Sequence, residues 1–195
     1  MSTDTPPPAE RETPADPAII ASTRVWLERA VIGLNLCPFA RAPYQQQRIR
    51  YRVSHATDTD SLLDDLCGEL QSLQVAKPAD CETTLLIHPF VLQDFLEFND
   101  FLDSADAALT ALGFDGELQV ASFHPDYQFA DSPPDDIANF TNRSPYPILH
   151  LLRESSIERA IEAIDDPDAI YRRNIETLRR LGRQGWHALW RGESS

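Results

Sequence analysis

Two histidines, His88 in "IHPF" (87–90) and His124 in "FHPDYQF" (123–129), each close an apolar run, and each is followed by proline. An imidazole at a strand end can act as an acid/base group or ligate a metal, and a divalent transition metal would suit two of them. The same residue can instead cap its strand by bonding a backbone carbonyl, with proline ending the ladder because it has no N–H to donate. Asp126, two residues after His124, could orient an imidazole or accept a proton; it is equally suited to the turn after Pro125. Arg143 is the first cation after Lys77 and stands in "FTNRSPYP", between Asn142 and Ser144. Its five donors among so many carboxylates would either pair with one of them or anchor an anionic ligand group. Asn142, Tyr127 and Tyr146 accompany it as ligand-binding candidates.

"NLCPFAR" (35–41) is the other compact motif. Cys37 could be a nucleophile if a new turn begins at Pro38 and Arg41 lowers the thiol pKa. Against that, the preceding helix would turn its negative end toward the thiol, which suits a buried structural cysteine. Were Cys37 to meet His88 and His124, a mixed sulfur and nitrogen metal site would form. His150 shares a strand face with Ile148 and Leu152, as a core histidine or one that supports another group would. His55 ends the first strand and joins the cluster only if that strand is parallel to the next two. His187, beside Trp186, is incidental.

The elements that must position these groups follow from periodicity. From Pro17 to about Leu36, Ile20, Leu27, Val31 and Leu34 keep helical spacing, with Asp16 as cap and Pro17 in the first turn. Pro38 stops that helix near Cys37. "RIRYRVSH" (48–55) alternates arginines with Ile49, Tyr51 and Val53, which suits a half-exposed edge strand. Leu62, Leu66, Leu70 and Leu73 then form one helical stripe, with Cys67 near its border. "TTLLIHP" (83–89) and "LQVASFHP" (118–125) are continuous apolar runs, as strands covered on both faces are. Between them an amphipathic helix runs to Gly113, completing a βαβ unit. A right-handed unit of that kind puts both His-Pro steps at carboxyl ends on one sheet edge.

The polar stretch 125–147 is long for a compact domain, and its aromatic residues argue that it is packed down rather than loose. It holds one short helix, for which Ser132 is the expected cap and Pro133 and Asp135 the first turn. "YPILHLLRES" (146–155) reads as a strand. "SSIE" (155–158) reads as a capping box, and "DPDAIYRRNIETLRRLG" as a final helix from Asp166 to Gly182. The expected fold is α/β or α+β: a four-stranded mixed sheet with a parallel βαβ core, covered by helices.

The chain has 195 residues with 42% apolar, enough for one sizeable core. Residues 1–16, with four prolines and few large apolar side chains, read as a disordered tail; 17–185 read as one globular domain and 186–195 as a C-terminal tail. No secretory leader or membrane-length apolar run is apparent, which points to a cytoplasmic protein. Three cysteines without finger-like spacing argue for reduced thiols. The net charge of −14, with no cation from 78 to 142, argues against nucleic-acid binding.

The strings "WLERAVIGLNLCPFARAP", "ETTLLIHPFVLQDFLEFNDFLD", "LQVASFHPDYQFA" and "NFTNRSPYPILHLLRE" resemble a bacterial family catalogued only as a domain of unknown function, with N-L-C-P-F-A, H-P-D-Y-Q-F and N-R-S-P-Y-P signatures. The resemblance spans roughly residues 17–185. It implies a bacterial cytoplasmic protein and brings no catalytic residues with it.

Two functional expectations follow. One is an enzyme for a small anionic molecule, with His88 and His124 at the carboxyl edge under a roof formed by 125–147, and possible use of a metal there. The other is a non-catalytic module that binds a ligand or a protein, in which the histidines are structural. Oligomeric state is not encoded in any of these patterns.

Overall fold

A computed structural model describes residues 15–130, 132–162, 166 and 168–190. The expected disordered tail lies almost wholly outside the described residues. The chain opens with α1 (Asp16–Trp26), whose first turn holds Pro17. Asp16 does not cap this helix as expected: Ala15 holds the cap position, and the Asp16 carboxylate meets His55 instead at 3.0 Å. The helix then widens into a π-helical segment, Leu27–Ile32, in which Gly33 N–H donates to Glu28 O at 2.9 Å. It stops before Pro38 acts, because Asn35 takes a left-handed conformation (φ 55°) that an asparagine tolerates. A short α2 (Arg41–Gln45) follows.

β1 (Ile49–Val53) leads into α3 (Thr59–Val75), capped by Asp58, which accepts from Ser61 N–H at 2.8 Å. The stripe Leu62, Leu66, Leu70 and Leu73 is fully buried. β2 (Thr83–Ile87) is buried along its whole length. Asp94 caps α4 (Phe95–Leu112), which ends at Gly113 with φ 73°, a conformation where glycine avoids a Cβ clash. β3 (Leu118–Phe123), a 3-10 turn (Ile137–Asn142), β4 (Ile148–Arg153), α5 (Glu154–Glu162) and α6 (Asp168–Ala188) complete the described chain.

The sheet order is β1-β2-β4-β3. β1 and β2 are parallel and joined through α3, which supplies the βαβ core. β4 is antiparallel to both of its neighbours and pairs His150 with Leu85 on one side and Ala121 on the other. β2 and β3 therefore run the same way without touching, since β4 lies between them. The result is an α+β fold on a four-stranded mixed sheet. β3, expected to be covered on both faces, is an edge strand whose residues after Leu118 are only half-buried. β1 is the other edge, as its alternating arginines require.

Strand alternation divides the core in two. One face carries Leu86, Leu149 and Leu151 against the leucines of α3 and against Phe98 and Phe101 of α4. The other carries Leu85, Ile87 and Ile148 against Ile19, Trp26 and Val31. Arg153 reaches beneath the end of α3 and donates from Nη2 to Leu73 O at 2.5 Å and Ala76 O at 2.7 Å, satisfying carbonyls that a helix terminus leaves unpaired.

Three helix expectations are corrected. The 3-10 turn begins at Ile137, with Asp136 rather than Ser132 accepting from Ala138 N–H at 2.9 Å. α5 starts at Glu154, directly off β4, so Ser155 already lies inside the helix and no capping box forms. α6 breaks at Gly182 (φ 66°), as its sequence predicts, but the chain resumes a helical course to Ala188. Trp186, placed by sequence in the tail, is buried edge-on to Phe140 at 5.2 Å. Packed structure thus continues beyond residue 185. No helix of the described residues is long and apolar enough to cross a membrane.

Candidate functional site

His88 and His124 do share an edge, at the carboxyl ends of β2 and β3. Both are wholly buried, at 0% exposure. Their rings flank Phe98, with centroids 5.6 and 5.1 Å from it, on the face of the sheet covered by α3 and α4. His88 Nδ1 lies 3.2 Å from Val91 O, and His124 Nε2 lies 3.2 Å from Leu92 O. Two successive carbonyls of one turn thus accept from two imidazoles. That turn contains Leu92 at φ 56°, a conformation costing a leucine about 1–2 kcal/mol. The imidazoles tie it down just before α4 begins.

The protonation states follow from these contacts. Asp126 N–H donates to His124 Nδ1 at 3.0 Å, so Nδ1 is the acceptor and Nε2 carries the hydrogen. His88 donates from Nδ1, which leaves Nε2 as a buried lone pair without a partner among the described residues. Burial holds His88 down at about 4, with nearby His124 pushing the same way and the Val91 carbonyl opposing. Burial also lowers His124, against the Leu92 carbonyl and the charges of Asp126 and Asp94. Both rings are neutral near pH 7. Asp126 orients its histidine through its backbone N–H.

The stretch 125–147 is held by its own contacts. Arg143 donates from Nε to Tyr127 O at 3.3 Å and from Nη2 to Pro134 O at 3.0 Å, and its guanidinium lies 4.3 Å from the Phe140 ring centre. Nε and Nη2 are thus turned to backbone carbonyls, and among the described residues no carboxylate pairs with Arg143. Asn142 donates to Ser122 O at 3.3 Å, and its own carbonyl receives His124 N–H at 3.2 Å. Tyr127 packs between Phe95 (5.2 Å) and Phe129 (5.1 Å). Tyr146 is half-buried, and its carbonyl accepts from Ser144 Oγ at 2.6 Å. His55 is exposed and paired with Asp16, away from the two buried imidazoles.

Cys37 lies across the sheet from His88 and His124, so the mixed metal site does not form. It packs with the core that contains Trp26 and Leu85, whereas the two imidazoles stack on Phe98 of the opposite core. Among the described residues, no three His, Cys, Asp or Glu side chains gather closely enough to hold a metal ion.

On the Cys37 face there is a cavity of about 540 Å³. Its floor is the sheet, through Thr83, Leu85, Ala121, Phe123 and His150. Its walls are Trp26 and Val31 from the first helical segment, the Cys37–Pro43 turn, and Ile157 and Ala160 of α5. Burial pushes the Cys37 thiol up, with the Phe39 and Ala40 amides opposing, so the sulfur is a thiol. Burial pushes His150 down to about 4, so its imidazole is neutral. Both arginines on the lining are engaged: Arg48 with Glu82 at 2.9 Å, and Arg153 with the carbonyls beneath α3. Such a space can enclose a small, largely apolar molecule beside a few polar atoms.

Of the site residues expected from sequence, only Cys37 lines this cavity. His150 was expected as a supporting or core histidine, and its shared face with Ile148 and Leu152 was the available signal. Ala121 and Trp26 gave none, because a small residue on a strand and a tryptophan on a helix are ordinary core choices. The comparisons with known proteins add one finding. A family model described as protein of unknown function (DUF1415) matches residues 18–188. No curated protein and no solved structure matched the chain.

Proposed function

We propose, from the premise that this chain belongs to the family described as protein of unknown function (DUF1415), that it binds a small, largely apolar molecule in the cavity between the sheet, the Cys37–Pro43 turn and α5. The observation that carries this reading is the cavity itself. Its volume of about 540 Å³ is within the usual range for small-molecule sites, and its walls are apolar side chains interrupted by few polar groups. The adjoining π-helical segment agrees with it, since such segments recur at functional sites.

The buried histidines support the non-catalytic alternative over carboxyl-edge chemistry. Acid/base work at His88 or His124 would first require uncovering rings that are wholly buried and bonded to the Val91 and Leu92 carbonyls. An anionic substrate would also need a cation, and Arg143 is already engaged by backbone and by Phe140.

The test is a titration of isotope-labelled full-length protein with naphthalene, followed through methyl resonances. Saturable shifts confined to Val31, Leu85, Ala121, Ile157 and Ala160, abolished in a folded Ala121→Phe variant that fills the space, are the expected result. Absent or non-saturable shifts would sink the reading.

A further inference from the structure

The Thr83 hydroxyl has one hydrogen and two close neighbours, Leu151 O at 2.6 Å and His150 Nε2 at 2.7 Å. A carbonyl oxygen only accepts, so the hydroxyl's hydrogen goes to Leu151 O. The contact with His150 is then a hydrogen bond only if Nε2 carries a hydrogen and donates to Thr83 Oγ1. Thr83 is itself buried, at 5% exposure, and is fixed in β2, so it locks the imidazole in one tautomer. In the neutral ring the other nitrogen, Nδ1, is a bare acceptor.

That ring stands on the floor of the cavity, its centre 6.0 Å from the Phe123 ring. Of the other titratable groups on the lining, Glu82 sets a carboxylate against any anion, and Arg153, whose Nε has no partner among the described residues, turns its Nη2 away to backbone carbonyls. Arg48 is paired with Glu82 and also donates to Pro78 O at 3.2 Å; Cys37 is a thiol. Burial keeps His150 neutral near pH 7, in agreement with the tautomer read from Thr83.

We propose that the cavity selects uncharged ligands that carry an O–H or N–H donor on an apolar body, and that His150 Nδ1, held by Thr83, is the acceptor that sets this preference. The proposal deepens the small-molecule reading and rests on it. It names a specificity-determining residue and a ligand class, aryl or alkyl alcohols and amides rather than carboxylates or phosphates.

Naphthalene, 1-methylnaphthalene, 1-naphthol and 1-naphthoate, titrated into the full chain, separate the two levels. Naphthalene binding reports the cavity alone. In the native protein, the ratio of 1-naphthol affinity to that of its near-isostere 1-methylnaphthalene should exceed the ratio in His150→Phe by about tenfold, the value of one net hydrogen bond. 1-Naphthoate should bind more weakly than naphthalene. An unchanged ratio in His150→Phe, or tighter binding of 1-naphthoate, overturns the ligand class while naphthalene binding keeps the cavity reading; no binding of any of the four removes both. Should His150→Phe not fold, nitrogen shifts of His150 in the native protein decide the matter. Nδ1 should be unprotonated and should move with 1-naphthol but not with 1-methylnaphthalene. A protonated Nδ1, or one unmoved by saturating 1-naphthol, overturns the proposal.

Discussion

Lowering the pH from about 7.5 to about 4.5 should cost the fold about 2–3 kcal/mol through His88 alone. The ring is wholly buried and neutral, with a folded pKa of about 4 against an ordinary 6.5. A depressed folded value means that the unfolded chain binds the proton first as pH falls. Stability is therefore fully present above about 6.5 and is lost down to about 4, where the folded state also protonates. The whole span, at about 1.36 kcal/mol per pH unit, is about 3 kcal/mol, and most of it has gone by about pH 4.5. The assay is denaturant unfolding at both pH values for the native protein and for His88→Phe, which keeps a ring against Phe98 but cannot titrate. Val91 O retains a donor in that variant, Gln93 Nε2 at 3.3 Å, and the unpaired Nε2 is removed, so the variant should lose only about 1 kcal/mol near pH 7.5. Acidic groups shared by both proteins cancel in the comparison. If native protein and variant lose equal stability on acidification, the account of His88 as a buried neutral ring is wrong.

Arg143→Ala should destabilise the protein by about 2 kcal/mol through lost carbonyl bonds and the Phe140 contact, with faster amide exchange across 126–142; unchanged exchange there would contradict its role as the stretch's own clasp. Gly113→Ala should cost about 1 kcal/mol in thermal unfolding, a backbone penalty at φ 73° where an added methyl meets no neighbour. Cys37, a thiol raised by burial and sited on the cavity wall, should react slowly with iodoacetamide near neutral pH. Saturating naphthalene should protect Cys37 while leaving Cys67 and Cys81 unaffected, as mass spectrometry of the alkylated peptides would show.

Periodic patterns within one stretch of chain were legible, whereas the exact caps were not, since Asp16, Ser132 and the Ser155–Glu158 box each gave way to a neighbouring residue. The leucine stripe of α3, the glycine stop after α4 and the alternation of β1 each depend on a short run of residues, and each appears as its period requires. The placement of both His-Pro steps at one edge was legible too, because the direction of β2 and β3 follows from the helix joining them. The insertion of β4 between these strands was not, since it rests on pairings such as Leu85 with His150 that no local pattern encodes. The same limit applied to the cavity. His150 was placed on its correct face by its spacing from Ile148 and Leu152, but that face could be joined to Cys37, Trp26 and α5 only through the folded sheet. The tendency of ligands to sit beyond carboxyl strand ends points to His88 and His124, whereas the antiparallel β4 and its following helix open a space on a face of the sheet.

The central claim, that the cavity beside Cys37 and His150 is where this protein takes its ligand, is tested most directly by intermolecular nuclear Overhauser effects from bound naphthalene. The account predicts contacts to Trp26, Ala121 and Ile157 and none to Phe98 or to the rings of His88 and His124. Contacts to those buried rings, or none to the three cavity residues at saturating naphthalene, would contradict it.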